Sequence, residues 1–585
     1  MRPCVTGSFT KLPLHWTTPR CHFRQKTMTK RYITTVLAFC GLGCDFNTPQ
    51  TASEQVSAEK KIPLFAEDSQ RRGVSFQVNS DLGEGALMPE IMLGGGAAFD
   101  FDGDGWLDLY LIQGSSGKNV LYRNRGNGTF EQITEIGDAA NTEYGFGTAT
   151  ADVDEDGDVD IFVSNLGRDV LLRNDGDGHF TDVTEVSGLG DTGWGTSATF
   201  FDSDLDGDPD LFVTRYIDWS PQRERFCTGA DGKPGYCAPG AYNAPTSDLF
   251  YENIGNGKFI DRSKASGISD VLGTGLGVAA ADFNNDALPD IFVANDDMPD
   301  RLWRNLGNGK FEEVGFSSGC DRDLTGEAKA GMGVSIEDID NDGDQDLIVC
   351  NLAGETDSFY LNENGRFIDV TNRSGIGRAC IQFTRFGLGF VDFDNDGTLD
   401  YFAANGKVRR DRNPINGDPY AEINLVLQGK KESVGFQKFE NDGLTNLPPR
   451  TSRGAIFGDF DNDGGMDIVV LNRDAQLEFL TNTTQTNNWL ILDVRHPAGG
   501  PALGAFVTVE AGNLRINRSV RSDSSYLTSR DPRVHFGLND ATAADKIKVR
   551  WPDGHTEILT NIACNQIVMV KPTSNGTNTT SSAKP

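Results

Sequence analysis

The chain has 585 residues, 37% hydrophobic and 24% charged, enough for more than one folded core. Its 85 acidic residues outnumber 53 basic ones, giving a formal charge of −32, a balance that excludes nucleic acid as a partner because phosphate binding needs a basic surface. The 68 glycines follow no collagen period and point to many tight turns and short strands.

Residues 1–44 read as an export leader. The first 31 hold seven Lys/Arg and no acid, and the apolar run Tyr32–Gly43 follows. Twelve residues are too few to span a bilayer and suit a signal-peptide core. Met28 offers a more ordinary start. The run ends in GLGC, which resembles a bacterial lipoprotein box with Gly41 where leucine is usual, so Cys44 is the candidate lipid anchor. The expected location is the bacterial cell envelope or outside the cell, with no transmembrane helix in the mature chain. Residues 45–61 read as a linker.

From residue 62 to 485 the chain repeats itself. The string DxDxDGxxD, or a near copy, starts at Asp100, Asp152, Asp202, Asp282, Asp338, Asp392 and Asp459. The unit is about fifty residues long, and two longer intervals hold insertions around Cys227–Cys237 and Arg409–Asp418. A strand of small residues precedes each copy (GAAF, TATA, GVAAA), and a β-branched or aromatic strand follows (LYLI, IFV, LFV). Strand, acidic loop and strand make a hairpin, and glycine or alanine in the first strand suits a crowded central axis. A second hairpin follows in most units, as in LYRNRGNGTF at Leu121 and LWRNLGNGKF at Leu302. Its Asn-Gly step supplies left-handed turn residues. Two hairpins are the four strands of a propeller blade, and blades must stack to bury their faces. The fold expected is all-β, a seven-bladed propeller, with the segment Ile62 to Phe76 supplying the outermost strand that closes the ring.

The aspartates of each loop fit calcium, a hard cation that takes six to eight oxygens. Loop positions 1, 3, 5 and 9 supply side chains that converge when the loop curls, position 7 a carbonyl, and glycine at position 6 the sharp turn. The candidate ligands are Asp100, Asp102, Asp104 and Asp108; Asp152, Asp154, Asp156 and Asp160; Asp202, Asp204, Asp206 and Asp210; Asp282, Asn284, Asp286 and Asp290; Asp338, Asp340, Asp342 and Asp346; Asp392, Asp394, Asp396 and Asp400; and Asp459, Asp461, Asp463 and Asp467. Up to seven Ca2+ ions are expected. The loops hold no cysteine or histidine, which argues against zinc and copper. An EF-hand needs Glu at position 12, where Leu111, Val163 and Val213 stand. The loop at Asp282 should bind most weakly, because Ala287 replaces its glycine.

Cys227 and Cys237 flank a Gly/Pro-rich loop and are placed to close a small disulfide ring in an oxidising compartment. A pairing of Cys320 with Cys380 is suggested only by their similar places in successive repeats.

Residues 488–572 lose the acidic loop and alternate like a compact β domain (WLILDVRH, GAFVTVEA, DKIKVRWPDG), and residues 573–585 form a polar tail expected to be disordered.

The repeats resemble FG-GAP/VCBS repeats of integrin α-chain propellers. The second domain is similar to ASPIC/UnbV at Gly504-Ala505, at Ser524 to Asp540 and at Val549 to Glu557. The whole arrangement resembles bacterial relatives of cartilage acidic protein, which implies a secreted calcium-binding or adhesive protein. The function expected is a protein- or glycan-binding module. The competing reading is an enzyme or biosynthetic accessory protein, since UnbV takes its name from antibiotic gene clusters. The six histidines fall in no HExxH or GxSxG context, and His535 and His555 are lone histidines of the second domain, outside any such motif.

Overall fold

The computed structural model describes residues 62–572, apart from 83, 84, 116, 142, 177, 230, 415, 432, 485 and 486, together with the short strand Ser581–Ser582. The leader, its Cys44, the linker up to residue 61 and most of the polar tail lie outside the described residues.

Between Phe65 and Asn482 the strands group into seven four-stranded antiparallel sheets. The innermost strands are Gly96–Phe99, Tyr144–Ala151, Thr192–Phe201, Gly275–Ala281, Val334–Glu337, Arg385–Val391 and Ser452–Gly458. Each touches the next in chain order and the last touches the first, so they form a closed ring. Sheets two and three are further joined by pairing of Thr192–Trp194 with Leu166–Arg168. The ring closes through Phe65–Glu67, which adds as outermost strand to Glu478–Asn482 of sheet seven. The expected closing strand is therefore present but only three residues long; the helix Ser69–Arg72 follows it.

The small residues of the inner strands have a steric cause. A Cβ on Gly147 would sit 2.4 Å from the carbonyl oxygen of Thr196, and one on Gly277 2.2 Å from that of Met332. Neighbouring inner backbones leave no room for a side chain. Away from the axis, aliphatic and aromatic residues of adjacent sheets interleave, as with Phe292, Leu302, Ile336 and Tyr360 between sheets four and five.

The C-terminal domain packs two layers, one antiparallel and one mixed, with Asn488–Val494 and Ile567–Val570 parallel, around Leu490, Val507, Phe536 and Ile547. One layer holds Asn488–Val494, Val534–Asn539 and Ile567–Val570; the other holds Phe506–Ala511, Leu514–Ser519, Ala543–Arg550 and Thr556–Ala563.

One segment of this domain, 521–530, enters the axis of the ring and bonds to every inner strand. Thr528–Ser529 pairs in parallel with Gly96–Ala97. The Thr148 N–H donates to Leu527 O at 3.2 Å, and the Leu527 N–H donates to Ser197 Oγ at 3.3 Å. The Ala280 N–H donates to Asp523 Oδ2 at 2.8 Å, while Val334 and Ser525 exchange two backbone bonds of 3.0 and 2.6 Å. Ser525 Oγ accepts from the Leu388 N–H at 3.1 Å, and Thr528 Oγ1 donates to Ala455 O at 3.0 Å. Ser525 and Leu527 hold φ of 74° and 60°, an unfavourable left-handed backbone that these bonds stabilise.

Candidate metal centres

Because the sheets are antiparallel, loops between first and second strands and between third and fourth strands share one face of the ring. The acidic hairpins therefore gather on one face, each tip tied by its own backbone. The carboxylate at position 1 accepts N–H bonds within the loop, as Asp100 does from Asp104 and Gly105, both at 3.0 Å. The carboxylate at position 9 is a structural staple. In sheet one, Asp108 Oδ2 accepts the Phe101 N–H at 3.1 Å, and its Oδ1 accepts the Asn124 N–H at 2.7 Å.

That asparagine is a repeating element the sequence displays in LYRN, LLRN, FYEN, LWRN, FYLN and EFLTN but whose role only the fold reveals. Its Nδ2 reaches the acidic loop of the preceding sheet. Asn174 donates to Phe101 O at 2.7 Å, Asn253 to Val153 O at 3.0 Å and Asn305 to Ser203 O at 2.7 Å. Sheet six carries Gly429 at this place, and only its backbone N–H reaches Asp400, at 2.8 Å.

Carboxylate oxygens at positions 1, 3 and 9 converge in at least four loops: Asp100, Asp102 and Asp108; Asp152, Asp154 and Asp160; Asp338, Asp340 and Asp346; and Asp392, Asp394 and Asp400 each bring one oxygen within 4.8 Å of the others. In the third loop the grouped residues are Asp202, Asp204 and Asp206, without Asp210. At position 5 one carboxylate oxygen closes a local turn, in the third loop (Asp206 accepts the Asp208 N–H at 3.0 Å) as in the others. Asp104 Oδ1 accepts the Trp106 N–H at 2.9 Å, and Asp342 Oδ1 the Asp344 N–H at 2.8 Å. In the fourth loop Asn284 Nδ2 donates to Asp286 Oδ2 at 3.0 Å, and Ala287 holds φ of 76° where the other loops use glycine. In the seventh, the buried Arg72 places Nη2 2.7 Å from Asp461 Oδ2 and 3.4 Å from Asp467 Oδ2.

These carboxylates are poorly compensated. Oδ1 of Asp102, Asp152, Asp154, Asp394 and Asp461 is buried without a hydrogen-bond donor. Burial, and secondarily the neighbouring carboxylates, push Asp108 up to about 9, Asp346 and Asp392 to about 8, and Asp152 to about 6. The same burial raises Asp160 and Asp400 well above the carboxylate range. Crowded acids with unpartnered buried oxygens and an all-oxygen donor set suit a hard divalent cation.

The C-terminal domain sits on this face. Asn517 Nδ2 donates to Asp338 Oδ2 at 2.9 Å, Arg495 Nη2 lies 3.5 Å from Asp100 Oδ2, and the Asn539 N–H donates to Asn395 O at 2.9 Å. Arg533 Nη2 donates to Asp459 O at 2.9 Å. The acidic hairpins thus support a domain interface rather than an open binding face. His535 belongs to this interface: its Nε2 lies 3.2 Å from Gly464 O, and burial holds its imidazole down at about 4. His555 is half-exposed, 3.7 Å from Glu557.

Cys227 and Cys237 form a disulfide. The suggested bond between Cys320 and Cys380 is corrected: both are buried free thiols, in different hydrophobic clusters. Similar places in successive repeats put equivalent residues on neighbouring blades, where the blade rotation separates them.

A closed ring of four-stranded sheets, each tipped by an acidic hairpin, defines a β-propeller whose aspartate clusters are able to bind metal. Residues 100–163, 152–213, 282–349 and 338–403 match the FG-GAP-like repeat, and residues 497–577 match the family described as ASPIC and UnbV. The chain thus carries FG-GAP-like repeats within the propeller and an ASPIC and UnbV match within its C-terminal domain. Cartilage acidic protein 1 of Xenopus tropicalis is 30% identical over 291 residues, 48% of this chain and 42% of the relative. The Homo sapiens protein of that name is 27% identical over 320 residues, 52% of this chain and 45% of the relative. The matches therefore span less than half the length of these relatives. Among solved structures, an Agrocybe aegerita lectin described as recognising non-reducing terminal N-acetylglucosamine aligns at a TM-score of 0.35 and 16% identity, over 67% of this chain and 91% of that one. Nothing about this chain's ligand follows from that alignment. No helix among the described residues is long and apolar enough to cross a membrane.

Proposed function

We propose that the protein is an exported, calcium-binding β-propeller that acts as a protein- or glycan-binding, adhesive module. The observation that carries the calcium reading is the set of buried carboxylate oxygens without donors at Asp102, Asp152, Asp154, Asp394 and Asp461. An ion held by side chains at positions 1, 3, 5 and 9 and the carbonyl at position 7 would compensate them, with Asp104 and its equivalents turning inward on binding. The loop at Asp282 is the weakest of these sites, since Asn284 brings no charge and Ala287 is strained. Extracellular calcium modules bind with a Kd of about 0.1–1 mM, a range in which calcium acts as a structural element. Export rests on the basic leader and apolar run ending at Cys44, where a lipid anchor would hold the protein at the envelope, and is supported by the Cys227–Cys237 disulfide.

The acidic face carries the C-terminal domain, which favours the opposite face for ligand. Both long insertions lie there, between second and third strands. They lock together through stacked groups: the Tyr236 and Tyr420 rings are 5.6 Å apart, and the Arg473 guanidinium lies 4.6 Å from the Tyr420 centroid. Phe226, beside the disulfide, is 94% exposed. Tyr420 and Arg473 are themselves buried, so they brace this face, and the exposed Phe226 is the aromatic surface it offers to sugars or protein side chains.

The test is calorimetric titration of EGTA-stripped protein with calcium, followed by binding to glycan arrays and to matrix or envelope extracts with and without EGTA. Calcium uptake together with capture that Phe226→Ala abolishes is expected. A stripped protein that takes up no calcium sinks the reading.

A further inference from the structure

The C-terminal domain carries three cations that neither domain uses. On its antiparallel sheet Phe506 pairs with Arg550 and Thr508 with Lys548, while Glu510 pairs with Arg515 on one side and Lys546 on the other. Alternation along the strands puts all of these on one face. The residues between them, Val507, Val509, Ile516, Ile547 and Val549, fill the core of the domain. Glu510, the carboxylate of this row, lies 3.9 Å from Lys546. Arg515, Lys548 and Arg550 form no side-chain hydrogen bond or ion pair among the described residues. The Arg550 guanidinium instead lies 5.4 Å from the centroid of the half-buried Phe506 ring.

These three side chains line one cleft of about 340 Å3, between the sheet and the tips of the fourth and fifth acidic hairpins. Asp282 is the one acidic residue in its lining. Its two oxygens each accept an N–H of its own loop, from Asp286 at 3.1 Å and Ala287 at 2.9 Å. Calcium in that loop would add to the positive field of the cleft rather than oppose it. Elsewhere the domain meets the acidic face by direct contact, through Arg495 at Asp100 and Asn517 at Asp338. Like charges set side by side on a sheet repel one another and are costly without a counter-charge. Past Arg550 and Phe506 the cleft runs into a smaller pocket lined by Gln345. That side chain is 5% exposed; its Oε1 accepts from Ser519 Oγ at 3.2 Å, and its Nε2 is buried without an acceptor. Uncommitted donors thus flank an aromatic ring in a space large enough for a small ligand.

We propose that this cleft binds an acidic sugar of a polysaccharide, with Arg515, Lys548 and Arg550 on its carboxylate or sulfate and the Phe506 ring against its apolar face. An anion answers the three charges, and the arginines offer the planar fork that such oxyanions accept. The aromatic ring beside them favours a sugar over a simple ion. A cleft between low-dielectric walls focuses the field of the charges that line it, so a local site can hold an anion although the chain carries −32 overall. The site is separate from the Phe226 surface and needs no ion in the acidic loops.

The experiment is fluorescence-anisotropy titration of the full chain with labelled oligogalacturonate, sulfated dextran oligomers and neutral dextran oligomers. The parent should bind one or both acidic oligosaccharides and not the neutral one; the one bound more tightly identifies carboxylate or sulfate as the group recognised. Lys548→Gln and Arg550→Gln should each weaken binding about tenfold. Lys546→Gln removes the same charge from the same face and should change it less than about twofold. Arg515 and Lys548 are exposed, so Arg515→Gln and Lys548→Gln keep the test open if Arg550→Gln does not fold. A parent that binds neither acidic oligosaccharide, or binding that these substitutions leave intact, would overturn the inference. Equally tight binding of a poly-glutamate peptide to the same residues would overturn the sugar assignment. None of these outcomes touches the calcium reading, which is tested by uptake of the ion itself.

Discussion

Calcium should stabilise this protein far more at pH 7 than at pH 5. Without the ion, burial raises Asp108 to about 9 and Asp346 and Asp392 to about 8, against an ordinary value of 3.8. A group whose folded-state pKa is raised contributes stability below its unfolded value and loses it as pH rises through the folded value. The stripped protein must therefore weaken as pH climbs from about 4 towards 8 or 9. Each unit of pH costs about 1.4 kcal/mol per proton retained, so one such group loses about 2.7 kcal/mol between pH 5 and 7. Three groups acting together would lose about 8 kcal/mol. For a unit of this size, on the order of 1 °C of melting temperature corresponds to each kcal/mol. Bound calcium replaces the missing protons and removes this loss. Melting by differential scanning fluorimetry, in EGTA and in millimolar calcium, should show a calcium increment larger at pH 7 than at pH 5 by about 3 to 8 °C. An increment that is equal at the two pH values, or smaller at pH 7, would refute the reasoning.

Asn253→Ala removes a side chain that bridges sheet three to the Val153 carbonyl and leaves that buried acceptor without its donor; about 2 to 3 kcal/mol of stability should be lost in urea titrations. Ala287→Gly relieves a left-handed alanine and should raise stability by about 1 kcal/mol while tightening the fourth loop's calcium affinity, both read by titration. Tyr526→Ala empties a fully buried site in the axis, where the hydroxyl donates to Met92 O at 3.0 Å and the ring meets Phe386; a loss of about 3 to 5 kcal/mol and faster proteolysis at the linker between the domains are expected. Tyr526→Phe removes only the hydroxyl bond and should cost about 1 kcal/mol in the same assays.

The repeat architecture was legible because its causes are local. Each acidic hairpin joins strands adjacent in sequence, and its aspartates answer to backbone groups within a few residues, so a fixed spacing encodes the loop. The Cys227–Cys237 bond spans ten residues and was readable for the same reason. The strained Ala287 could be placed at positive φ from its alignment with glycines alone. The asparagine of the outer hairpin was visible as a repeating letter, yet its partner lies on the preceding blade, 73 to 102 positions away for Asn174, Asn253 and Asn305.

What sequence determined by itself is therefore the composition of each unit: strand, acidic loop, strand, turn, strand, and a second domain of different periodicity. Tertiary structure alone decided what those units face. The segment 521–530 reads as an ordinary Ser-rich loop, and only closure of the ring gives it seven inner strands to bond. Asn517 and Arg495 cover acidic loops hundreds of residues earlier, and Arg72 meets Asp461 across 389 positions of chain. Such contacts are specified by how the folded sheets stack. Hydrophobic pattern and turn chemistry act over a few residues and carry no record of which distant loop a side chain will meet.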